Sequence, residues 1–223
     1  MIEIEIYSAD VSIFDDDRLY ERAKKYISSE RLARATRMYR EKDRRLSILS
    51  EILISYAFAS RDLPHHPALL LGEHGKPYAR DGQLKFNLSH SDTRATLAVT
   101  SDPCEIGCDI QRVTSCDIRI AQRMYSEEEI TRLSQMVEHG PTLDADIEFT
   151  KMWARKESFL KCIGVGLAAS DRQADESFRF YEYDGWKDYI CSVCVNQSDA
   201  IHTTITEVDG VMIDSLISEE ENA

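Results

Sequence analysis

The residues of this chain best suited to chemistry stand in one helical stretch, Phe149–Gly164. Its apolar residues recur at helical period and form a stripe, which Glu157 interrupts with a carboxylate that faces inward. Lys161 follows four residues later, in the order that lets a Glu and a Lys meet on one helix. An inward carboxylate is costly unless a cation lies against it. The stretch therefore indicates either a partly exposed ion pair or a carboxylate that holds a metal ion.

A second carboxylate stands on a predicted strand, Glu105–Gln111. Asp109 and Gln111 are two residues apart, so their side chains project from one face of the strand while the apolar residues between them face the core. Oxygens from a carboxylate and an amide suit a hard cation, and magnesium takes one or two carboxylates together with water and substrate phosphate. An Asp at the end of a strand is also a common turn or cap residue, so the spacing leaves both interpretations open.

Short polar residues follow another predicted strand, Leu84–Leu88. Ser89, His90 and Ser91 offer hydroxyls, an imidazole and backbone amides that could hold a phosphate. Basic residues earlier in the chain could join them: Arg31, Arg34, Arg45 and Lys76. The alternative is a structural or exposed turn histidine and a solvated helix face.

The composition limits the possible functions. The 223 residues suffice for one large domain or for two of about a hundred residues each. A net charge of −13 argues against broad binding to nucleic acid or to anionic membranes. There is no signal peptide and no apolar run near the roughly 18 residues of a membrane span, so a reducing cytoplasm with free thiols is expected. Cys191 and Cys194 are spaced like half a zinc site, but they have no second pair and would point to opposite faces of a strand, which disfavours zinc.

The order of elements predicts an α+β fold of two similar halves. Strands are predicted at Ile2–Ile6, Leu84–Leu88, Ala95–Val99, Glu105–Gln111, Phe178–Tyr183, Tyr189–Val195 and Ile201–Ile205, and helices at Asp17–Met38, Asp43–Phe58, after a capping box at Ser126–Glu129, and over the stretch that holds Glu157. Ser89–Asp92 separates two of the strands, and Ser218–Ala223 reads as a solvated tail. Because Asp102-Pro103 is the most plausible boundary, the halves are residues 1–103 and 104–223.

Four motifs in register resemble the 4′-phosphopantetheinyl transferases. In chain order they are Gly75-Lys76-Pro77, Phe86-Asn87-Leu88-Ser89-His90-Ser91, Ile106-Gly107-x-Asp109 and Trp153-x-x-Lys156-Glu157-Ser158-x-x-Lys161. Their order and intervals match the larger, two-halved branch of Sfp type. The resemblance covers about Arg31 to Leu167, and the last motif is its most specific part.

This resemblance implies the activity of a holo-[acyl-carrier-protein] synthase. The family moves the phosphopantetheine arm of coenzyme A onto a serine of an acyl or peptidyl carrier protein and releases adenosine 3′,5′-bisphosphate. Its fold is a pseudo-dimer of two α+β halves in one chain, with coenzyme A in the cleft between them. A chain that builds its own cleft favours a monomer, and no nucleic acid or membrane partner is expected.

The resemblance also implies a role for each matching residue. Asp109 and Glu157 would bind magnesium, with Gln111 where many relatives carry a Glu, so weaker magnesium binding or a more hydrated ion is expected. Glu157 would take the proton of the carrier serine, directly or through a metal-bound water, and Lys161 would stabilise charge on the phosphoryl oxygens. The remaining implied contacts to coenzyme A are His90 and Ser89 at the 3′-phosphate or pyrophosphate, Lys76 on the adenine side, and Arg31, Arg34, Arg45 and Ser47 near the 3′-phosphate.

The carrier is expected to dock through local apolar contacts on the segments Gly164–Phe180 and Tyr125–Met136, since a chain of this charge cannot attract an acidic partner over long range. Two alternatives remain open. A metal-dependent phosphodiester hydrolase could use Asp109 and Glu157, but it needs a second metal cluster that the sequence does not show. A catalytically weak protein that only binds coenzyme A or the carrier is suggested by Gln111.

Overall fold

The computed structural model describes residues 1–166 and 172–222. Its strands are β1 (Ile2–Asp10), β2 (Leu69–Leu71), β3 (Pro77–Ala79), β4 (Lys85–Ser91), β5 (Arg94–Thr100), β6 (Ile106–Arg112), β7 (Arg179–Tyr183), β8 (Tyr189–Val195) and β9 (Ile201–Glu207). Its helices are α1 (Asp17–Tyr26), α2 (Ser29–Thr36), α3 (Glu41–Ala59), α4 (Ile118–Met124), α5 (Glu127–Met136), α6 (Leu143–Cys162) and α7 (Gly210–Glu221), with a short 3₁₀ helix at Val11–Asp15. The predicted mixed α+β class is confirmed. No helix among these residues is long and apolar enough to cross a membrane.

Two sheets pack face to face at the centre of the molecule. The first has the strand order β4-β5-β1-β9 and the second has the order β6-β8-β7, while β2 and β3 form a separate hairpin. Ile2, Ile4 and Ile6 alternate along β1 and pack against the apolar face of β6 and β8. Tyr7 and Ala9 point to the other face of β1, into the core beneath α3. The first strand is therefore buried on both faces.

One long helix covers the outer face of each sheet. Helix α3 packs Leu49, Ile52 and Leu53 onto β1 and β5. Helix α6 packs Phe159 and Leu160 onto the face of the second sheet that carries Cys194. The predicted end of α6 is confirmed, since the helix stops at Cys162 and the chain turns at Gly164 with φ +71°. The capping box that opens α5 is also present.

The chain returns to the first sheet at its C-terminal side. Strand β9 pairs in parallel with β1, with Ile201 opposite Ile2. Helix α7 then packs Ile213 and Leu216 into the core that α3 shares with the first sheet. Local sequence pattern contains no information about this pairing, because the two strands lie at opposite ends of the described chain.

Two local predictions are wrong. The helix predicted at Asp17–Met38 is two helices, because the hydroxyl of Ser28 caps a new helix by accepting from the amide of Arg31. The strand predicted to end at Leu88 continues as β4 through Ser91, because the backbone of Ser89–Ser91 pairs with β5. The predicted solvated end is exposed from Glu219 to Asn222, and as far as Glu221 it is the last turn of α7.

Candidate active site

Helix α6 lies directly on strand β6 at a glycine. A Cβ atom on Gly107 would stand 2.0 Å from the carbonyl oxygen of Ser158 and 2.3 Å from the amide nitrogen of Cys162. Only glycine fits such a contact, because the two backbones touch. Beside it, the hydroxyls of Ser158 and Ser192 form a buried hydrogen bond of 3.0 Å that joins α6 to β8. This contact determines where the side chains of α6 stand over the second sheet.

Asp109 projects from β6 toward α6 and is buried, with 1% of its surface exposed. Its Oδ1 accepts hydrogen bonds from Lys161 Nζ at 2.6 Å and from Ser89 Oγ at 2.8 Å. Its Oδ2 accepts one from Gln111 Nε2 at 2.9 Å. Lys161 Nζ also donates to Ser89 Oγ at 2.9 Å. The buried carboxylate is tolerated because both of its oxygens are hydrogen bonded and a cation lies against it.

Glu157 stands one turn before Lys161 on α6 and is half-buried. Burial raises the pKa of Glu157, the charge of Asp109 raises it further, and Lys161 lowers it. The described residues provide no hydrogen-bond partner for its carboxylate, whose oxygens are therefore available. Lys161 thus pairs with Asp109, and its charge also acts on Glu157 at the contact between β6 and α6.

The chemistry of these donors fits a magnesium ion. No group of three or more His, Cys, Asp or Glu residues could hold a metal within residues 1–166 and 172–222. Two carboxylates nevertheless match what magnesium takes from a protein when water and substrate phosphate fill its other positions. Burial is the main cause of the raised pKa of Glu157, and the charge of Asp109 adds to it. A divalent cation beside the two carboxylates would favour their charged forms.

Strand β4 contributes polar side chains to the same place. Asn87, Ser89 and Ser91 alternate on one side of β4 and meet the edge of β6. Asn87 Oδ1 accepts a hydrogen bond of 2.8 Å from the amide of Cys108, and Ser91 Oγ accepts one of 3.0 Å from the amide of Arg112. The middle member, Ser89, reaches Asp109 instead. Asn87, Ser89 and Ser91 therefore join the edge of the first sheet to the edge of the second, beside the carboxylates.

His90 belongs to β4 rather than to a turn. Loss of solvation lowers the pKa of His90, and the charge of Lys161 lowers it further, so the imidazole is neutral at pH 7. The charges of Lys161 and Asp109 act on His90, but its side chain projects from the face of β4 opposite Ser89 and is partly exposed. A neutral imidazole can donate one hydrogen bond and accept another.

Several basic residues predicted to bind the nucleotide are paired with carboxylates. Arg31 Nε contacts Glu51 at 3.0 Å. Arg45 contacts Asp15 and Glu41, each at 2.7 Å. These pairs cancel much of the positive charge that the sequence offered to a phosphate.

Lys76 is also held by acceptors of the protein itself. Its Nζ contacts Glu105 at 3.2 Å and donates to the carbonyl oxygens of Ile106 at 2.9 Å and Cys162 at 3.3 Å. Lys76 thus ties the β2–β3 hairpin to the C-terminal end of α6, one residue beyond Lys161. A cation at the end of a helix also interacts favourably with the helix dipole.

The remaining two predicted residues lie on α2 and α3. Arg34 and Arg31 line a cavity of about 290 Å³ between α2, α3 and the β2–β3 hairpin, together with Glu51, Leu69 and Pro77. Ser47 is buried on α3, and its hydroxyl has no hydrogen-bond partner among the described residues.

A larger cavity of about 410 Å³ lies between α5, α6 and the start of β7. Its lining is mixed, with the apolar side chains of Met152, Phe159 and Phe178 beside charged ones that include Arg155 and Lys156. The cavity therefore opens beside the residue that precedes Glu157. It covers much of the surface predicted for a protein partner, although residues 167–171 of that surface lie outside the described part of the chain.

The structure brings together Ser89, Asp109, Gln111, Glu157 and Lys161 around the contact of β4, β6 and α6, whereas His90 lies on the other face of β4. It places Arg31 and Arg34 in a separate cavity of the first half. Sequence reasoning missed the positioning contacts of Asn87, Gly107 and Ser192. The alternation of Asn87 with Ser89 and Ser91 along β4 could have indicated the contact of Asn87 with β6. No sequence pattern indicated that Ser192 would face Ser158.

Comparison with known proteins agrees with this geometry. The family model for the 4′-phosphopantetheinyl transferase superfamily matches residues 105–204, which include both carboxylates and Lys161. The 4′-phosphopantetheinyl transferase psf-1 of Bacillus pumilus is 30% identical over 171 residues, which cover 74% of this chain and 71% of that protein. The chain belongs to this family.

Other relatives extend the match across the chain. The 4′-phosphopantetheinyl transferase gsp of Aneurinibacillus migulanus is 28% identical over 219 residues, which cover 88% of this chain and 90% of that protein. The 4′-phosphopantetheinyl transferase Sfp of Bacillus subtilis strain 168 is 30% identical over 155 residues, which cover 66% of this chain and 65% of that protein. The predicted resemblance to the Sfp-type transferases is therefore confirmed.

Proposed function

We propose that this protein transfers the 4′-phosphopantetheine arm of coenzyme A to a serine of an acyl or peptidyl carrier protein, in the presence of magnesium, and releases adenosine 3′,5′-bisphosphate. The observation that carries the proposal is the cluster of Asp109, Glu157 and Lys161 at the contact between β6 and α6. Membership of the phosphopantetheinyl transferase family supports the same reaction class.

Asp109 and Glu157 would hold the magnesium ion, which supplies positive charge to the pyrophosphate of coenzyme A. Gln111 would either bind the magnesium ion as a neutral ligand or hold the side chain of Asp109 in position. Its contact with Asp109 Oδ2 supports the second role. Because it adds no charge, weaker magnesium binding than with a third carboxylate is expected.

In the transfer step, the serine oxygen of the carrier forms a bond to the β-phosphorus of coenzyme A. The bond from that phosphorus to the bridging oxygen breaks, and the electron pair leaves with the nucleotide. Glu157 would accept the serine proton, directly or through a water, since its carboxylate has no hydrogen-bond partner among the described residues whereas Asp109 is held by three donors. Lys161 Nζ lies beside Asp109 and stabilises negative charge on the phosphoryl oxygens.

Ser89 and His90 would bind the phosphates of the nucleotide with a hydroxyl and a neutral imidazole. Arg34 and Arg31 would reach the 3′-phosphate from the α2 cavity, with Arg45, Ser47 and Lys76 as further predicted contacts. The pairing of Arg31 with Glu51 implies that these cations act within ion pairs rather than as free charges.

The proposed division of the chain is 1–103 for the nucleotide half and 104–223 for the half with the magnesium site and the carrier contacts. Each of the two sheets is covered by one long helix, which supports a pseudo-dimer whose cleft holds coenzyme A, although β9 and α7 of the second half complete the first sheet and its core. A single chain then completes its own site and acts as a monomer in the cytoplasm. The cavity between α5, α6 and β7, where Met152, Phe159 and Phe178 offer apolar contacts, is the proposed docking place for the carrier.

Intact-protein mass spectrometry tests the proposal. An apo carrier protein is incubated with this protein, coenzyme A and magnesium, beside one reaction with Glu157→Ala and one with EDTA. A mass gain of one phosphopantetheinyl group, lost in both controls, is expected. Absence of any gain with several carriers, while coenzyme A still binds in calorimetry, would favour a binding protein without turnover. Gln111→Glu is the next variant in that case.

A further inference from the structure

The short loop between α2 and α3 presents two arginines and a tyrosine to solvent. This arginine loop consists of Arg37, Met38, Tyr39 and Arg40. Tyr39 is 95% exposed, the highest exposure among the large hydrophobic side chains that the structure describes. Arg37 and Arg40 are exposed as well, and within the described residues neither side chain has an ion-pair or hydrogen-bond partner.

The loop has a fixed shape despite this exposure. Arg44 donates from Nε to the carbonyl oxygen of Met38 at 2.8 Å and from Nη2 to that of Tyr39 at 3.1 Å. The amides of Arg37 and Met38 complete the last turn of α2 by donating to carbonyl oxygens of that helix. A surface whose backbone is already ordered costs less entropy to bind.

The loop is also the exposed part of a basic segment in an acidic protein. Residues 31–45 contain seven basic and two acidic side chains, whereas the whole chain has a net charge of −13. Carboxylates pair with Arg31, Lys42 and Arg45 in this segment. The charges of Arg37 and Arg40 therefore remain available to a binding partner. An acidic partner is attracted here and repelled by most of the remaining surface.

The form of the loop indicates a macromolecular partner. Small molecules bind in concave sites, but Arg37, Tyr39 and Arg40 do not line the neighbouring cavity that holds Arg31 and Arg34. Tyrosine and arginine are the side chains that most often dominate protein interfaces. A nucleic acid would meet the strongly negative remainder of the chain, so the charge favours a protein.

The loop lies near the candidate active site. The first turn of α3 follows directly after Arg40, and its Lys42 pairs with Asp92 at the end of β4. Asp92 also pairs with Arg112, next to Gln111, at 2.8 Å. The charge of Asp43, in the same turn, acts on His90. A protein bound to the arginine loop therefore stands beside the phosphate-binding residues.

We propose that the arginine loop is a docking surface for an acidic face of the carrier protein, separate from the cavity between α5, α6 and β7. The inference rests on the proposed transfer function. Arg37 and Arg40 provide attraction and orientation, and Tyr39 provides the apolar contact between them.

Steady-state transfer to an acidic acyl carrier protein tests the proposal with the double variant Arg37→Glu/Arg40→Glu. The KM for the carrier is expected to rise at least about tenfold because attraction becomes repulsion, whereas kcat and the KM for coenzyme A stay within about twofold. The difference is largest at low salt. Tyr39→Ser, which keeps the charge, is expected to raise the same KM by a smaller factor.

The matched control is Arg18→Glu/Lys25→Glu on α1, which changes the net charge by the same amount at exposed positions. Its KM for the carrier is expected to stay within about twofold of wild type. Equal losses in the two double variants would overturn the proposal. A rise in the KM for coenzyme A with an unchanged KM for the carrier would do the same.

Direct binding separates this proposal from the proposed function. Calorimetry measures the affinity of wild type and double variant for the carrier without coenzyme A. If wild type gives no transfer product, the proposed function fails, yet weaker carrier binding by the double variant still supports the docking surface. Equal carrier affinity in both proteins would overturn it. A short DNA duplex that binds only wild type would then assign the surface to nucleic acid.

Discussion

The two long helices of this protein hold their charged side chains in opposite ways. Helix α6 places Lys161 against the buried Asp109, on an element far away in sequence, because a glycine lets its backbone touch β6. Helix α3 holds Arg45 against Glu41 of its own first turn and Asp15 nearby, on the outside of the molecule. A charged side chain that a backbone contact holds in a buried place can take part in catalysis. A charged side chain on an exposed helix surface instead pairs with the nearest opposite charge.

The substitution Asp109→Asn tests the buried pair between Lys161 of α6 and Asp109, and the largest effect is expected here. It keeps the shape of the side chain but leaves Lys161 without its carboxylate and removes a proposed magnesium ligand. Transfer activity is expected to fall by about 1000-fold, measured as initial rate of carrier modification. Magnesium binding in calorimetry should weaken in parallel.

Asp117→Asn is the control for that variant, since Asp117 is a helix cap on α4 and Asn caps equally well. Its activity should match wild type. Retention of magnesium affinity and transfer rate in Asp109→Asn would remove Asp109 from the site.

The substitution Gly107→Ala tests whether the backbone contact sets the geometry. The added Cβ would meet Ser158 O at 2.0 Å, so α6 has to move away from β6. The free energy of unfolding in urea is expected to fall by about 1–3 kcal/mol or more. Transfer should fall by about 100-fold because the carboxylates and Lys161 shift relative to one another.

Gly72→Ala is the matched control, because its Cβ would meet only Lys76 O at the ordinary distance of 3.5 Å. Wild-type stability and activity are expected there. A Gly107→Ala protein as stable and active as wild type would show that the contact is not required.

The substitution Glu51→Gln tests the α3 side. It releases Arg31 from its carboxylate while an amide oxygen can still accept from the Ser28 amide at the start of α2. Coenzyme A is expected to bind about two- to fivefold more tightly, since a partly exposed ion pair is worth up to about 1 kcal/mol. Calorimetry measures the affinity.

Glu30→Gln provides the control, because Glu30 lines the same cavity and changes the net charge equally. A gain of equal size in both variants would attribute the effect to net charge. No gain in either would place the 3′-phosphate away from Arg31.

The smallest effect is expected at Asp92, which joins the two regions. The charges of Lys42 and Arg112 and the hydrogen bond from Lys42 lower the pKa of Asp92 from 3.8, with the hydrogen bond as the largest cause. A lowered pKa contributes stability above the unfolded value, and this stability is lost as the pH falls through the folded value. Asp92→Asn should therefore destabilise the protein by less than about 1 kcal/mol at pH 7 and have no effect at pH 2.

Urea unfolding at both pH values checks this expectation. Asn also tolerates the φ of +52° at this position, so the backbone is not perturbed. A difference that persisted at pH 2 would assign the effect to something other than the carboxylate charge.

The sequence allowed accurate prediction where chemistry depends on local spacing. The face of β6 that carries Asp109, the end of α6 at Gly164 and the capping box of α5 all follow from patterns of a few residues. Joining Asp109 to Lys161 required four motifs in register and the family resemblance. The pairs Arg31–Glu51 and Arg45–Asp15 could not be predicted, because the partners lie 20 and 30 residues apart and no periodicity connects them. The pair Arg45–Glu41 has helical spacing and could have been predicted.

Pairing between distant strands was equally hidden. The alternation in Ile201–Ile205 predicted a strand but not its neighbour, and the parallel partner β1 lies at the opposite end of the described chain. The capping by Ser28 is a local feature that was overlooked. The continuation of β4 depends on its pairing with β5 as far as Ser91 opposite Arg94, and the polar run Ser89–Ser91 gives no strand pattern that would indicate it.

The pairing of β9 with β1 has a consequence for how the protein is made. During synthesis β1 emerges first, and its parallel partner follows 199 residues later, from Ile2 to Ile201. Until then the hydrogen-bonding edge of β1 that faces β9 is open, on a strand rich in isoleucine, which is the kind of edge that recruits other chains. We therefore expect nascent or truncated chains without β9 to depend on chaperones to remain unaggregated.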